Sequence, residues 1–107
     1  MLPNTTSSSR LSALGIPSSF KLLGYTVTVQ EIPDLPDVGR YGDFDRDTHT
    51  IRLYTDGQSD HHLLHSFFHE ATHALLEIAG YMEDSEDERK VDLLAGLIAQ
   101  AVLTRSR

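Results

Sequence analysis

The sequence predicts a single small α+β domain, with strands in its first half and two helices in its second half. Before residue 55, apolar and polar residues alternate, which is typical of strands; after residue 60, apolar residues recur three and four positions apart, which is typical of helices. Strands followed by helices indicate an α+β fold, in which a sheet packs on a helical layer. The 107 residues suffice for one domain. We expect a short antiparallel sheet packed on a first helix and on a second, C-terminal helix.

The N-terminal part of the chain predicts an arm and then a strand. Residues 1–19 are rich in Ser, Thr and Pro, and we interpret them as a mobile arm with a short turn of helix, which leaves 20–107 as the folded domain. In the segment KLLGYTVTVQEI, the side chains of Tyr25, Val27 and Val29 would share one face of a strand.

A hairpin is predicted next, from the segments RYGDFD and THTIRLYT. A polar turn at Arg46 and Asp47 separates them, and Ile51 and Leu53 of the second segment would face the core. The strand TIRLYT could present an edge to an extended peptide.

Two helices follow the hairpin. The first is expected to begin with Asp60 as its N-cap and to end at Gly80. Its apolar stripe comprises Leu64, Phe67, Phe68, Ala71, Ala74, Leu75 and Ile78. The second helix is expected to run from about Ser85 to the C-terminus. Its apolar stripe comprises Val91, Leu94, Ala95, Ile98, Ala101 and Val102.

Charge and composition exclude several classes of protein. The net charge of -7 argues against nucleic-acid binding, which normally uses a basic surface. No apolar run approaches the roughly 18 residues of a membrane span, and the N-terminus lacks the features of a secretory signal. We therefore expect a cytoplasmic protein that binds neither nucleic acid nor membranes. Because the chain contains no cysteine, any metal ion must be held by histidine, carboxylate or water.

The segment HSFFHEATHALLEIAG contains the pattern His-Glu-x-x-His, formed by His69, Glu70 and His73. On a helix the two histidines lie one turn apart on the same face, so both rings can reach one ion, and Glu70 can reach a water bound to it. The pattern is short, and three further histidines lie just upstream. An amphipathic helix whose polar face happens to carry histidines is therefore the alternative.

A third ligand must come from elsewhere, because a catalytic zinc ion usually has three protein ligands. In the segment EDERKVDLLAGLIAQ, Glu88 and Asp92 share a stripe with apolar residues of the second helix. Glu88 has a competing interpretation: with Ser85 it could form a capping box at the helix start.

The segments FFHEATHALLE and ERKVDLLAGLIAQ together resemble zincin metallopeptidases of the ImmA/IrrE-like family of bacteria and phages, and RYGDFDRDTHTIRLYT resembles the region before the helix in that family. The resemblance covers roughly residues 40–103. It implies a minimal zincin-like domain in which Glu88 is the third zinc ligand and Asp92 supports a ligand histidine. The spacing from His73 to Glu88 is short for this family, and its frequent Met-Pro after the second helix is absent.

The expected function is that of a zinc-dependent metallopeptidase. One zinc ion per chain would be bound by His69, His73 and Glu88, and Glu70 would act as the general base that activates a zinc-bound water. The expected partner is a protein or peptide substrate, of which a regulatory protein is one kind. Two alternatives are a metal-binding regulatory or interaction module that cleaves nothing and a metal-free pair of helices.

Overall fold

A computed structural model describes residues 9–33 and 41–105 and has an α+β fold. The elements are α1 (Arg10–Ala13), β1 (Ser19–Leu22), β2 (Tyr25–Ile32), β3 (Gly42–Asp45), β4 (Thr50–Tyr54), α2 (Asp60–Ile78), α3 (Met82–Glu86) and α4 (Glu88–Leu103). The predicted order of strands before the two long helices is confirmed. Among the described residues, no helix is long and apolar enough to cross a membrane.

The strands form one sheet in the order β1-β2-β4-β3. The first predicted strand is in fact a hairpin, because Leu23 (φ 49°) and Gly24 (φ 85°) both take the left-handed conformation that a two-residue hairpin turn requires. The predicted hairpin of β3 and β4 is confirmed as an antiparallel pair.

The sheet is mixed, so the expectation of a purely antiparallel sheet was wrong. β2 and β4 run parallel, with Val29 opposite Ile51. The apolar side chains of β4 account for its central place, since Ile51 and Leu53 are fully buried. β3 carries Asp43 and Asp45 and occupies the edge, where charged residues are tolerated.

The core lies between one face of the sheet and α2. It comprises Leu11, Ile16, Val27, Val29, Ile51, Leu53, Leu63 and Phe67. Leu11 and Ile16 belong to the segment predicted as an arm, yet each is only 5% exposed. Arg10 fixes this segment further, because its guanidinium donates hydrogen bonds to Asp60 and to the carbonyl of Thr55. The folded domain therefore begins before residue 20, while residues 1–8 of the predicted arm lie outside the described residues.

The ends of the helices follow their capping residues. The hydroxyl of Ser59, one residue before the predicted N-cap, accepts from the backbone N–H of His62 and so begins α2. Gly80 (φ 92°) follows the last turn of α2, as predicted. The predicted second helix is divided into α3 and α4, and α4 packs against α2 through the fully buried Val91 and Ala95.

Candidate metal centre

His69 and His73 lie one turn apart on α2 and face the first turn of α4. The centroids of their rings are 4.9 Å apart. The Nε2 atom of His69 lies 3.1 Å from Oε1 of Glu88, and Nε2 of His73 lies 3.3 Å from Oε2 of the same carboxylate. Candidate ligand atoms of the three residues all lie within 4.8 Å of one another, which is compatible with a shared metal ion.

Glu88 can face the two histidines because another residue caps α4. Asp87, and not Ser85, is the N-cap of α4, because its carboxylate accepts from the backbone N–H of Lys90 at 3.2 Å. Ser85 instead lies within α3 and is 2% exposed. The capping box considered from the sequence therefore does not form, and Glu88, the first residue of α4, extends its carboxylate towards the histidines.

The link between α3 and α4 is reinforced by a second contact of Lys90. Its ammonium group donates to the carboxylate of Asp84 at 2.6 Å. This hydrogen bond, together with the negative charge of Asp84, raises the pKa of Lys90. The pair of Asp84 and Lys90 joins α3 to α4 next to Glu88, which faces the histidines.

Each histidine is also held through its other ring nitrogen. His69 Nδ1 lies 2.7 Å from Oδ1 of Asp92. His73 Nδ1 lies 2.9 Å from the hydroxyl of Ser85, and that hydroxyl donates to Glu77 at 2.7 Å. An ionised carboxylate only accepts, and a hydroxyl that already donates its proton elsewhere can only accept. Both histidines are therefore oriented with the proton on Nδ1.

This orientation leaves a set of acceptors at the centre of the cluster. With the ring protons on Nδ1, the Nε2 lone pairs of His69 and His73 face the oxygens of Glu88. Lone pairs that face one another are unfavourable unless a proton or a cation lies between them. Either a proton or a metal cation satisfies this arrangement, and two imidazole nitrogens with one carboxylate oxygen are ligands that zinc accepts.

Glu70 lies in the same cavity as the cluster. The cavity has a volume of about 600 Å³ and is open to solvent. Its walls are formed by Tyr41, Gly42, Asp43, Phe44, His62, His65, Ser66, His69, Glu70, His73, Glu77, Glu88 and Asp92. Glu70 is only 8% exposed, so its carboxylate is well shielded from bulk water. The cavity can therefore accommodate a ligand next to both the histidines and an acidic side chain.

The approach of β3 to Glu70 depends on Gly42. A Cβ atom at this position would lie 3.2 Å from Cγ of Glu70 and 3.1 Å from the carbonyl oxygen of Arg52. No larger residue would fit without a shift of the strand or of Glu70. The role of Gly42 was not predicted from the sequence, although a glycine inside a strand is a known sign of a close approach.

The edge of the sheet beside the cavity is β3. The edge predicted at TIRLYT is not one, because that strand is β4 and lies between β2 and β3. Gly42, Asp43 and Phe44 of β3 line the cavity instead. The carboxylate of Asp43 accepts from Arg52 Nε and from the Tyr54 hydroxyl, both at 2.7 Å. The bond to Arg52 raises the pKa of its guanidinium and ties β3 to β4.

His62, one of the three histidines just upstream of the His-Glu-x-x-His pattern, is a further cavity residue that was not predicted from the sequence. The amide nitrogen of Gln58 donates to the carbonyls of Tyr41 and Tyr54, so its oxygen is left as an acceptor. His62 Nδ1 lies 2.7 Å from that oxygen and must therefore donate to it. The seven-residue spacing from His62 to His69, which is two helical turns, could have identified this position.

The structure brings together the residues that the sequence nominated. His69, Glu70, His73, Glu88 and Asp92 all line one cavity. In comparisons with known proteins, no family model, no curated protein and no solved structure matches this chain.

Proposed function

We propose that the protein is a small zinc-dependent metallopeptidase with a zincin-like site, and that it belongs to the ImmA/IrrE-like family. The observation that carries the proposal is the convergence of His69 Nε2 and His73 Nε2 on the carboxylate of Glu88. The Nδ1 atoms of both histidines contact other partners, so the lone pairs of the two Nε2 atoms are directed at the carboxylate of Glu88. The proposal retains the cytoplasmic location that the sequence predicts.

The proposed metal ligands are His69, His73 and Glu88, with one zinc ion per chain. Two imidazoles and one carboxylate form the three-ligand set of many catalytic zinc sites, which keep a further position open for water or substrate. Other divalent ions also accept nitrogen and oxygen ligands, so the choice of zinc rests on the kind of ligands and their number. The carboxylate of Asp92 would fix the ring of His69 and increase its basicity.

In this proposal Glu70 acts as the general base and then the general acid of peptide hydrolysis. Bound zinc supplies Lewis-acid chemistry, since it lowers the pKa of water and polarises a carbonyl group. Glu70, which lines the same cavity and is largely buried, takes a proton from the attacking water and passes it to the leaving amine. The burial of Glu70 limits the access of bulk water to this proton transfer.

We further propose that the substrate is an extended segment of a protein or peptide that pairs with β3. β3 is an edge strand of the described sheet, and three of its residues line the cavity. An edge strand offers backbone N–H and C=O groups that can pair with an added strand. The backbone of β3 would then hold the substrate in the cavity that contains Glu70.

The experiment that tests the proposal combines metal content with peptide cleavage. We expect untagged protein to contain about one equivalent of zinc by plasma mass spectrometry, in keeping with the proposed three-ligand site. On a mixture of unstructured peptides analysed by mass spectrometry, we expect cleavage by the parent and none by Glu70→Gln. Because Glu70 is not one of the proposed ligands, the variant should retain the metal.

A regulatory or interaction module that binds metal without cleaving is the second candidate. The outer face of α4 favours it, because Leu93 (62%), Leu97 (55%) and Leu103 (52%) are exposed and could contact a protein partner. Zinc in the parent together with the absence of cleavage, in the parent as in Glu70→Gln, would support this candidate and contradict the peptidase. Absence of zinc from the parent after reconstitution would contradict both.

A further inference from the structure

The second histidine of the cluster is connected to a carboxylate that the sequence analysis did not consider. His73 Nδ1 contacts the Ser85 hydroxyl at 2.9 Å, and that hydroxyl donates to Oε2 of Glu77 at 2.7 Å. Ser85 is 2% exposed, and the side chain of Glu77 is 13% exposed. The chain His73–Ser85–Glu77 therefore lies in a largely buried environment, in which hydrogen bonds are strong and unpaired polar groups are costly.

Glu77 is held at its other oxygen by the turn between β3 and β4. Nε of Arg46 lies 3.1 Å from Oε1 of Glu77. Oε1 is buried and accepts no hydrogen bond within the described part of the chain, so the contact with Arg46 is an ion pair without an aligned N–H. Glu77 thus lies between the Arg46 guanidinium and the Ser85 hydroxyl, and its Oε2 accepts the hydroxyl proton.

The acceptor character of Glu77 determines the direction of the whole chain. A serine hydroxyl can donate or accept, so Ser85 alone would allow either tautomer of His73. Because Glu77 accepts the Ser85 proton, Ser85 must accept from His73, and His73 must carry its proton on Nδ1. The lone pair of Nε2 is then directed at Glu88 and at the proposed ion.

We propose that Ser85 and Glu77 are positioning residues that set the Nδ1–H tautomer of His73 and thereby make it a metal ligand. They would do for His73 what Asp92 does for His69, but through two side chains from two different helices. The inference deepens the proposed metal site and rests on it only for the predicted effect on metal affinity. The tautomer of His73 is a property of the metal-free protein and does not depend on that site being occupied.

The proposal predicts what happens when either residue is lost. In Ser85→Ala, the remaining acceptor next to the ring is the carboxylate of Glu88, so the proton of His73 should move to Nε2 and block the ligand atom. In Glu77→Ala, Ser85 is free to donate to Nδ1, which has the same effect on the ring. In Glu77→Gln, an amide oxygen can again accept from Ser85, so the Nδ1–H tautomer should be restored.

The first measurement is the tautomer of His73 in the metal-free full-length protein. Long-range nitrogen–proton correlation spectra, recorded at a pH at which the ring is neutral, distinguish Nδ1–H from Nε2–H. We expect Nδ1–H in the parent and in Glu77→Gln, and Nε2–H in Ser85→Ala and Glu77→Ala. Glu83→Ala is the matched control, since it removes one exposed carboxylate from α3 and should leave the ring unchanged.

The second measurement is zinc affinity, by competition with a chromophoric chelator. We expect about tenfold to a hundredfold weaker binding in Ser85→Ala and Glu77→Ala, the usual cost of losing a group that orients a ligand. Glu77→Gln and Glu83→Ala should bind nearly as the parent does. A role limited to joining α2 and α3 would instead lower the free energy of unfolding in Ser85→Ala and Glu77→Ala and leave the tautomer of His73 unchanged.

The outcomes separate the two proposals. If Ser85→Ala and Glu77→Ala keep the Nδ1–H tautomer and the parent affinity, the positioning role is overturned while the metal site stands. If the tautomers change as expected but the parent binds no zinc, the positioning of the ring is supported and the metal site fails. Should Ser85→Ala not fold, the comparison of Glu77→Ala with Glu77→Gln decides alone.

Discussion

Gly42 and Glu70 approach each other so closely that a Cβ atom on Gly42 would lie 3.2 Å from Cγ of Glu70. The contact joins the edge strand β3 to the side chain proposed as the proton carrier. β3 can lie this close to α2 because residue 42 is a glycine and has no side chain.

The first prediction concerns Gly42→Ala. The added methyl group must displace Glu70 or the strand, and we expect peptidase activity to fall by about tenfold to a hundredfold, since small displacements of a reacting group are costly. Zinc content should be unchanged, because the three atoms nearest to the new methyl group belong to Arg52, Leu53 and Glu70 and not to the proposed ligands. Overpacking should also lower the free energy of unfolding by about 1–3 kcal/mol.

Gly96→Ala is the matched control for this variant. A Cβ atom at Gly96, within α4, would meet no heavy atom within 4 Å apart from the neighbouring backbone of its own helix. Alanine should therefore stabilise the helix by up to about 1 kcal/mol and leave activity unchanged. Parent-like activity in Gly42→Ala would show that the contact with Glu70 does not position it.

The second prediction concerns Glu88, whose carboxylate meets both Nε2 atoms. We expect Glu88→Ala to lose most of its bound zinc in the same plasma mass spectrometry measurement, since two imidazoles alone form an incomplete site. Glu86→Ala removes a neighbouring exposed carboxylate from the end of α3 and should retain zinc. Equal zinc content in the two variants would rule out Glu88 as a ligand.

The third prediction concerns Asp87, the residue that caps α4. Its carboxylate accepts from the backbone N–H of Lys90, and loss of such a cap costs about 0.5–2 kcal/mol. We expect Asp87→Ala to lower the free energy of unfolding by this amount in urea denaturation. Asp87→Ser should recover most of it, because serine is also a good cap. Failure of serine to recover stability would argue that the charge, and not the cap, is what matters.

The parts of the fold that the sequence predicted are those that depend on local pattern. The three- and four-residue spacing of α2 placed His69 and His73 on one face without knowledge of the rest of the chain. The turn residues between β3 and β4 likewise marked a hairpin, whose two strands are close in sequence. These features depend only on residues that are close to one another in the sequence.

The parts that the sequence did not predict depend on contacts between distant segments. Pairing of β2 with β4 in parallel joins Val29 to Ile51, and nothing in the alternation of either strand specifies that direction. The position of Glu88 depended on whether Ser85 or Asp87 caps the helix, and both are good capping residues. The hydroxyl of Ser85 contacts His73 and Glu77 of another helix, α2, and so Ser85 does not cap α4.

The last prediction concerns removal of the metal. A ligand that binds only the folded state stabilises it by about 2.7 kcal/mol when its free concentration is 100 times the dissociation constant. For a domain of this size, each kcal/mol corresponds to roughly 4–8 °C in Tm. We therefore expect excess chelator to lower the Tm of zinc-loaded parent protein by more than about 10 °C in differential scanning calorimetry.

The variant His73→Ala provides the control for this measurement. It lacks a proposed ligand, so chelator should leave its Tm unchanged, whereas Glu86→Ala should respond as the parent does. Metal bound at another place on the acidic surface would give the same chelator response in all three proteins. That result would contradict a site formed by His69, His73 and Glu88, because removal of one of three ligands must weaken the linkage between metal binding and folding.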